Sequence, residues 1–317
     1  MRQNPHFIGA DIGASKIRVA SGDKKGIFKK LMEDTDKKHG PEGIPLQIIG
    51  MIHKLNDTPD AIGIGSIGPL NLRTGMITNT PNYPFENIPI KKPLESEFGV
   101  KVKIINDCSA AVVGERTFGA GKNSQNIFYV TLSTGLGGGA IVDDHLLLGK
   151  DGNAVEIGHF TLDPNSKIIC GCGSPGHWEA FCGGNNIPNF ARRWIKNVNM
   201  YGSLLNNLME GDPKNLTPKM LFEAASQGDI IALEIVEEIG KLNTLGFANI
   251  VNAYDPEIIT VGGSIALNNP DLVLSPIKQN ITRYLINRKP EILLTPLGEN
   301  VVLYGSLAIA MDDRYVN

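Results

Sequence analysis

Phe7-Ile8-Gly9-Ala10-Asp11-Ile12-Gly13-Ala14-Ser15-Lys16-Ile17-Arg18-Val19-Ala20 reads as a strand, a tight turn and a second strand. Two apolar runs flank a short segment of Gly, Ala and Ser, which is hairpin punctuation. The pattern returns in the middle of the chain. Ile127 to Leu132 is a strand, Ser133-Thr134-Gly135-Leu136-Gly137-Gly138-Gly139 is a glycine turn, and Ala140-Ile141-Val142 resumes as a strand. This is a weak internal repeat of architecture rather than of sequence. Outward from these two hairpins, further strands run into polar or glycine-containing ends. They are Asp60 to Gly65, Val102 to Asp107, and Ile258 to Ser264. Helical patterns fall between them, at Gly43 to Lys54, Ser109 to Arg116, Ile187 to Gly211 and Asp229 to Asn252, with a last one from Gly305. Strands alternating with helices define an α/β chain. Ligands of such folds sit at the carboxyl ends of strands, where Asp11, Gly65, Asn106, Asp107, Thr134 and Gly262 cluster.

The chain has 317 residues, which exceeds the size at which one core stops growing, so two domains are expected. Hydrophobic residues are 42% and charged residues 20%, ample for globular cores. A net charge of −3 gives no basic face for nucleic acid. The run Asp36-Lys37-Lys38-His39 is short and mixed and reads as a solvated loop. No apolar signal core follows Met1, and no apolar stretch reaches membrane-spanning length. The four cysteines, Cys108, Cys170, Cys172 and Cys182, do not read as a disulfide framework. A cytoplasmic protein is expected.

A phosphate needs closely approaching backbone N–H donors, which glycine turns supply. The two hairpin turns are candidates, although neither is a Walker sequence. Here the chain resembles the ROK sugar kinases of the actin/hexokinase-like ATPase superfamily. Asp11-Ile12-Gly13-Ala14-Ser15-Lys16 is similar to their D-I-G-G-T-K phosphate loop. Thr131 to Gly139 resembles their second phosphate loop, and Val261-Gly262-Gly263-Ser264 their adenosine-side turn. The resemblance runs in order along essentially the whole chain. It implies two actin-like (ribonuclease H-like) domains around a central cleft, closing on ATP and sugar, with a small zinc knuckle. The expected limits are residues 1–117 with 303–317, and residues 118–302. Asp11, Gly13, Ser15, Lys16, Thr134, Gly135, Gly262 and Gly263 are the implied ATP-side residues. Asp11 suits Mg²⁺ or its waters, since Mg²⁺ favours one or two carboxylates beside phosphate oxygens. Lys16 reads equally as a phosphate contact or a surface lysine.

Phosphoryl transfer needs an acceptor for the hydroxyl proton. Asp107, at a strand end, is the best-placed carboxylate. It reads either as that base or as the cap of the following helix. The family's Asn-Asp pair binds sugar hydroxyls through both residues, with the Asp as base. Asn106 and Asp107 inherit those roles. Gly68 in Gly65-Ser66-Ile67-Gly68-Pro69, Asn82 in Thr80-Pro81-Asn82, and Glu156 and His159 in Glu156-Ile157-Gly158-His159 match other sugar-contacting segments. Val155 stands where the family has Gly. If that position needs φ > 0, a valine there is strained.

Cys170-Gly171-Cys172-Gly173-Ser174-Pro175-Gly176-His177-Trp178-Glu179 places two cysteines and a histidine in a Gly- and Pro-rich turn. Zinc favours four Cys or His ligands in closed structural sites. C-x-C is not the thioredoxin spacing. The family's segment holds zinc through three cysteines and the E-I-G-H histidine. Here His177 replaces the third cysteine, so the expected set is His159, Cys170, Cys172 and His177. Cys182 is a rival fourth ligand. Glu179, carried by this segment, is expected at the sugar.

The resemblance thus implies a kinase acting on the 6-hydroxyl of a sugar, glucose first. N-acetylmannosamine and N-acetylglucosamine are the alternatives. The family also contains sugar-responsive repressors, whose DNA-binding domain precedes the first phosphate loop. That loop starts near residue 7 here, which leaves no room for such a domain. A non-catalytic sugar sensor or interaction module is the reading of a different class. ATP, catalytic Mg²⁺ and structural Zn²⁺ are the expected cofactors, and a dimer or tetramer the expected assembly.

Overall fold

The computed structural model describes residues 5–80 and 83–315. By internal contacts the chain divides into two units. One comprises residues up to 129, 139–155, and 295 onward; the other comprises 130–138 and 156–294. No helix among the described residues is long and apolar enough to cross a membrane.

The first hairpin forms as its sequence dictates. Strands β1 (Phe7–Ile12) and β2 (Lys16–Asp23) pair antiparallel, and β3 (Gly26–Asp34) continues the meander. Helix α1 (Gly43–Leu55) follows, then β4 (Ala61–Ser66), which lies parallel to β1. A small three-stranded sheet comes next, from β5 (Leu70–Asn71), β6 (Met76–Asn79) and β7 (Glu86–Pro89). After α2 (Lys91–Phe98), strand β8 (Lys101–Asn106) joins β4 in parallel and leads directly into α3 (Asp107–Thr117). The sheet order is β3-β2-β1-β4-β8.

The second round has β9 (Ile127–Leu132), β10 (Leu136–Val142) and β11 (His145–Leu146), then short helices α4 (Trp178–Cys182), α5 (Ile187–Ile195), α6 (Leu204–Leu208) and α7 (Pro218–Ser226). Long helix α8 (Ile230–Tyr254), capped by Asp229, precedes β12 (Ile258–Gly262), α9 (Ser264–Asn268), α10 (Pro270–Asn280) and β13 (Glu291–Leu294). The chain's last helix is α11 (Val301–Met311). The second sheet has order β11-β10-β9-β12-β13, the same permutation as the first. The repeat of architecture is therefore present at the level of sheet topology.

Burial explains the sequence pattern. Ile8, Ala10, Ile12, Ile62, Ile64 and Met51 are fully buried in the first unit's core. Helix α11 lies against β1, β4 and α3 at backbone distance. A Cβ on Gly63 would fall 2.0 Å from the Ser306 carbonyl oxygen, and one on Gly305 would fall 1.7 Å from that of Ala110. Only glycine permits that approach. Lys103 of β8 is buried, and its ammonium donates to the carbonyls of Ile309 and Asp312, at 2.7 and 3.0 Å, where α11 ends. A cation at a helix C-terminus offsets both the exposed carbonyls and the helix dipole.

Candidate active site

In the first unit, the strand register brings the predicted groups to one level. Asp11 pairs with Gly65, Ile12 with Ser66, and Ser66 with Asn106, so β1, β4 and β8 end together. The β1–β2 turn closes with the Gly13 amide on the Lys16 carbonyl at 2.9 Å. The Gly13 carbonyl accepts from the Tyr83 and Thr35 hydroxyls at 2.8 and 2.9 Å, which holds the tip of the loop. Ser15 is exposed at that tip. Lys16 is also exposed and pairs with Asp34 of β3.

Asp11 is buried and paired with Arg18, whose Nε and Nη2 both donate to its Oδ2, the former at 2.8 Å. Burial raises the Asp11 carboxyl above its ordinary range, and the Arg18 charge opposes that shift. Sequence reading missed Arg18, although hairpin arithmetic reaches it. A turn that sets Ile12 opposite Ile17 sets Asp11 opposite Arg18. Arg18 also donates to the Glu299 carbonyl just ahead of α11.

At the end of β8 the two adjacent polar residues have different tasks. Asn106 is the N-cap of α3, and its Oδ1 accepts from the Cys108 and Ser109 amides at 2.9 and 3.4 Å. Asp107 occupies the first helical position, with Oδ1 accepting from the Cys108 amide at 2.7 Å. Capping is thus carried chiefly by Asn106, which keeps its amide Nδ2 for donation. That nitrogen faces Gly68, where an added Cβ would lie 3.9 Å away. Asn82 lies outside the described residues.

In the second unit, the glycine turn after β9 meets the turn after β12. Ser133 and Ser264 hydroxyls are 3.2 Å apart, and the Gly184 and Asn185 amides bond the carbonyls of Ser133 and Thr134 at 2.8 and 2.9 Å. Gly262 ends β12, and Gly263 follows at φ +87°, where a Cβ would fall 2.3 Å from the Leu132 carbonyl oxygen. Thr134 is exposed and Gly135 half-buried beside Glu179. Glu179 ties this turn to the cysteine segment. Its Oε2 accepts the Leu136 amide at 2.9 Å, and its Oε1 lies 3.7 Å from the Cys170 thiol.

Val155 has φ +68° and is buried, so the backbone holds the left-handed conformation despite a β-branched side chain. Such strain amounts to about 1–3 kcal/mol. It sits immediately ahead of Glu156 and His159. Desolvation raises the Glu156 carboxyl; the His159 charge lowers it and that of Glu179 raises it further.

His159, Cys170, Cys172 and His177 converge, with one donor atom from each lying within 4.8 Å of all the others. The two Nδ1 atoms are 3.2 Å apart, Cys172 Sγ lies 3.3 Å from His177 Nδ1, and Cys170 Sγ lies 3.9 Å from His159 Nδ1. Tetrahedral zinc sets ligand atoms roughly 3.3–3.8 Å apart, so donor set and spacing fit that ion. The Cys172 thiol is lowered by the Ser174 backbone amide, whereas burial raises Cys170 to about 11. Burial and the His159 charge lower His177. Cys182 is not among the four. It is buried at the end of α4, with Sγ 3.7 Å from the Ile239 carbonyl. Trp178 fixes the segment to α8 through its indole N–H on Asn243 at 2.9 Å.

Comparison with known proteins places the chain in a family. The ROK family matches residues 7–312, and the chain belongs to that family. The glucokinase of Pyrobaculum calidifontis is 43% identical over 96% of this chain and 94% of its own. The glucokinase of Thermotoga maritima is 33% identical, with 96% of each chain covered. A ROK family glucokinase from Streptomyces griseus, solved in complex with glucose and AMPPNP, superposes with a TM-score of 0.81. It is 31% identical over 96% of this chain and 99% of that one.

Proposed function

We propose that the chain is an ATP-dependent glucokinase, transferring the γ-phosphoryl group of ATP to the 6-hydroxyl of glucose. The observation that carries this reading is the division of labour at the end of β8. Asn106 is the N-cap of α3, and Asp107 stands beside it at the first helical position, where its carboxylate serves as the base in this reading. Asp107 takes the proton of the sugar hydroxyl as its oxygen bonds to the γ-phosphorus. The bond from that phosphorus to the β,γ-bridging oxygen breaks, and ADP leaves with the electron pair. Asn106 Nδ2, Glu156 and His159 orient sugar hydroxyls in this reading.

Backbone amides of the two glycine turns, around Gly13 and Gly135, receive phosphate oxygens. Asp11 would hold Mg²⁺ or its waters, and the ion would neutralise phosphate charge. His159, Cys170, Cys172 and His177 would hold zinc, which would supply rigidity rather than reaction chemistry. It would fix the loop that carries Glu179.

The test is ATP-dependent phosphorylation across glucose, mannose, fructose, N-acetylglucosamine and N-acetylmannosamine, with Asp107→Asn as control. Turnover on glucose that is lost in the control supports the reading. A different preferred sugar corrects the substrate, and turnover undiminished in the control removes Asp107 as base.

A further inference from the structure

A pocket lies in the unit that carries the cysteine segment. Its volume is about 410 Å³, within the roughly 300–1,000 Å³ range of small-molecule sites. One wall is the polar face of α5, where Asn189, Arg192, Arg193 and Lys196 recur at helical spacing. The opposite wall is Ile168 and Ile169, and Asn186 completes the lining.

Three cations line this pocket and no carboxylate does, in a chain whose net charge is −3. Arg192 is held in place by the Asn189 carboxamide and the Pro213 carbonyl. Among the described residues, neither Arg193 nor Lys196 has an ion-pair partner in the protein. Two unpartnered cations beside a braced guanidinium fit a phosphate dianion, which prefers several charged donors. The Asn186 and Asn189 amides suit hydroxyls, and the two isoleucines suit the C–H face of a ring. We propose that this pocket binds a phosphomonoester, and specifically a sugar 6-phosphate, the product class of the reaction proposed above; this identity of the ligand rests on that reading.

Its position gives binding a route to turnover. Ile169 directly precedes Cys170 and bridges to Pro175, and the Gly176 amide bonds the Ile168 carbonyl at 3.0 Å. On the other wall, the Asn186 amide bonds the Gly183 carbonyl at 2.8 Å, and the Gly183 amide bonds that of Glu179 at 2.9 Å. A ligand that draws these walls together acts on the loop holding the metal ligands and on the helix holding Glu179.

The experiment is calorimetric titration of the full zinc-loaded chain, wild type and Arg193→Gln/Lys196→Gln, with glucose 6-phosphate and separately with inorganic phosphate. Both substitutions are on exposed side chains without internal bonds, so the variant folds. The wild type is expected to bind one more equivalent of glucose 6-phosphate than the variant, whose affinity at this pocket falls by roughly a hundredfold for two lost charged contacts. Identical isotherms for the two proteins overturn the site. Equal affinity for inorganic phosphate, with the same loss in the variant, overturns the sugar phosphate assignment and leaves a phosphate site. If the kinase reading itself fails, the wild type shows a single equivalent and the variant none, which still supports the pocket.

Discussion

Replacing Asp107 by Asn separates chemistry from structure, because the neighbouring residue carries the cap. Asn at 107 retains an Oδ1 to accept the Cys108 amide, now 2.7 Å from the carboxylate. The substitution removes a negative charge from a helix N-terminus, which costs about 0.3–1 kcal/mol. Asn106→Ala loses the bonds to Cys108 and Ser109, of which the Cys108 amide keeps Asp107 as an acceptor. Its cost is about 1 kcal/mol, or roughly 2 °C in thermal midpoint for a chain this long. Activity should reverse that order. Loss of a general base lowers kcat by roughly 10²–10⁴, equivalent to about 3–5 kcal/mol of barrier. Loss of the Asn106 amide should mainly raise KM for sugar. Steady-state kinetics and thermal melts on both variants check this. The reasoning is refuted if Asp107→Asn keeps turnover within about tenfold of wild type, or if it melts well below Asn106→Ala.

Three further outcomes are expected. Metal analysis should find one zinc per chain in wild type, in His177→Cys and in Cys182→Ser, and none in His177→Ala, because the donor cluster excludes Cys182. Gly263→Ala should destabilise by about 2–5 kcal/mol in denaturant melts, combining a Gly-only backbone with a Cβ 2.3 Å from the Leu132 carbonyl oxygen. Glu115 is buried, its Oε2 accepts the Ala120 amide at 3.0 Å, and burial raises its carboxyl despite its bond to Thr295. The folded state therefore holds that proton to higher pH than the unfolded chain. Its contribution is full below the unfolded carboxylate range and declines as pH rises toward the folded value. Glu115→Gln should remove that slope, so melts at rising pH should favour the variant progressively over wild type.

How much was legible depends on what each feature requires. The hairpins were readable because two apolar runs around small residues leave few alternatives, and the two sheets share one strand order. The converging Cys/His donor set was readable from residue type, but the choice between His177 and Cys182 was not. It turns on α4, which carries Cys182 to the Ile239 carbonyl, buried against α8. Asn106 and Asp107 show the same limit. Sequence places a helix start there, but boundaries are uncertain by a residue or two, and one residue decides which side chain caps. Lys16 was ambiguous because its partner, Asp34, arrives through β3.

Arg18 and Val155 are a different case, since both break a local rule. A long cation on a buried strand face is costly unless paired, and the carboxylate opposite it is equally costly alone. Each residue explains the other only once the register is known. Val155 keeps φ +68° where glycine would be unstrained. Yet Val155→Gly would also lose a buried side chain, about 1.5–3 kcal/mol, and gain backbone freedom in the unfolded state. Those losses match or exceed the strain relieved, so valine is tolerated at a position whose conformation the following Glu156-Ile157-Gly158-His159 turn fixes.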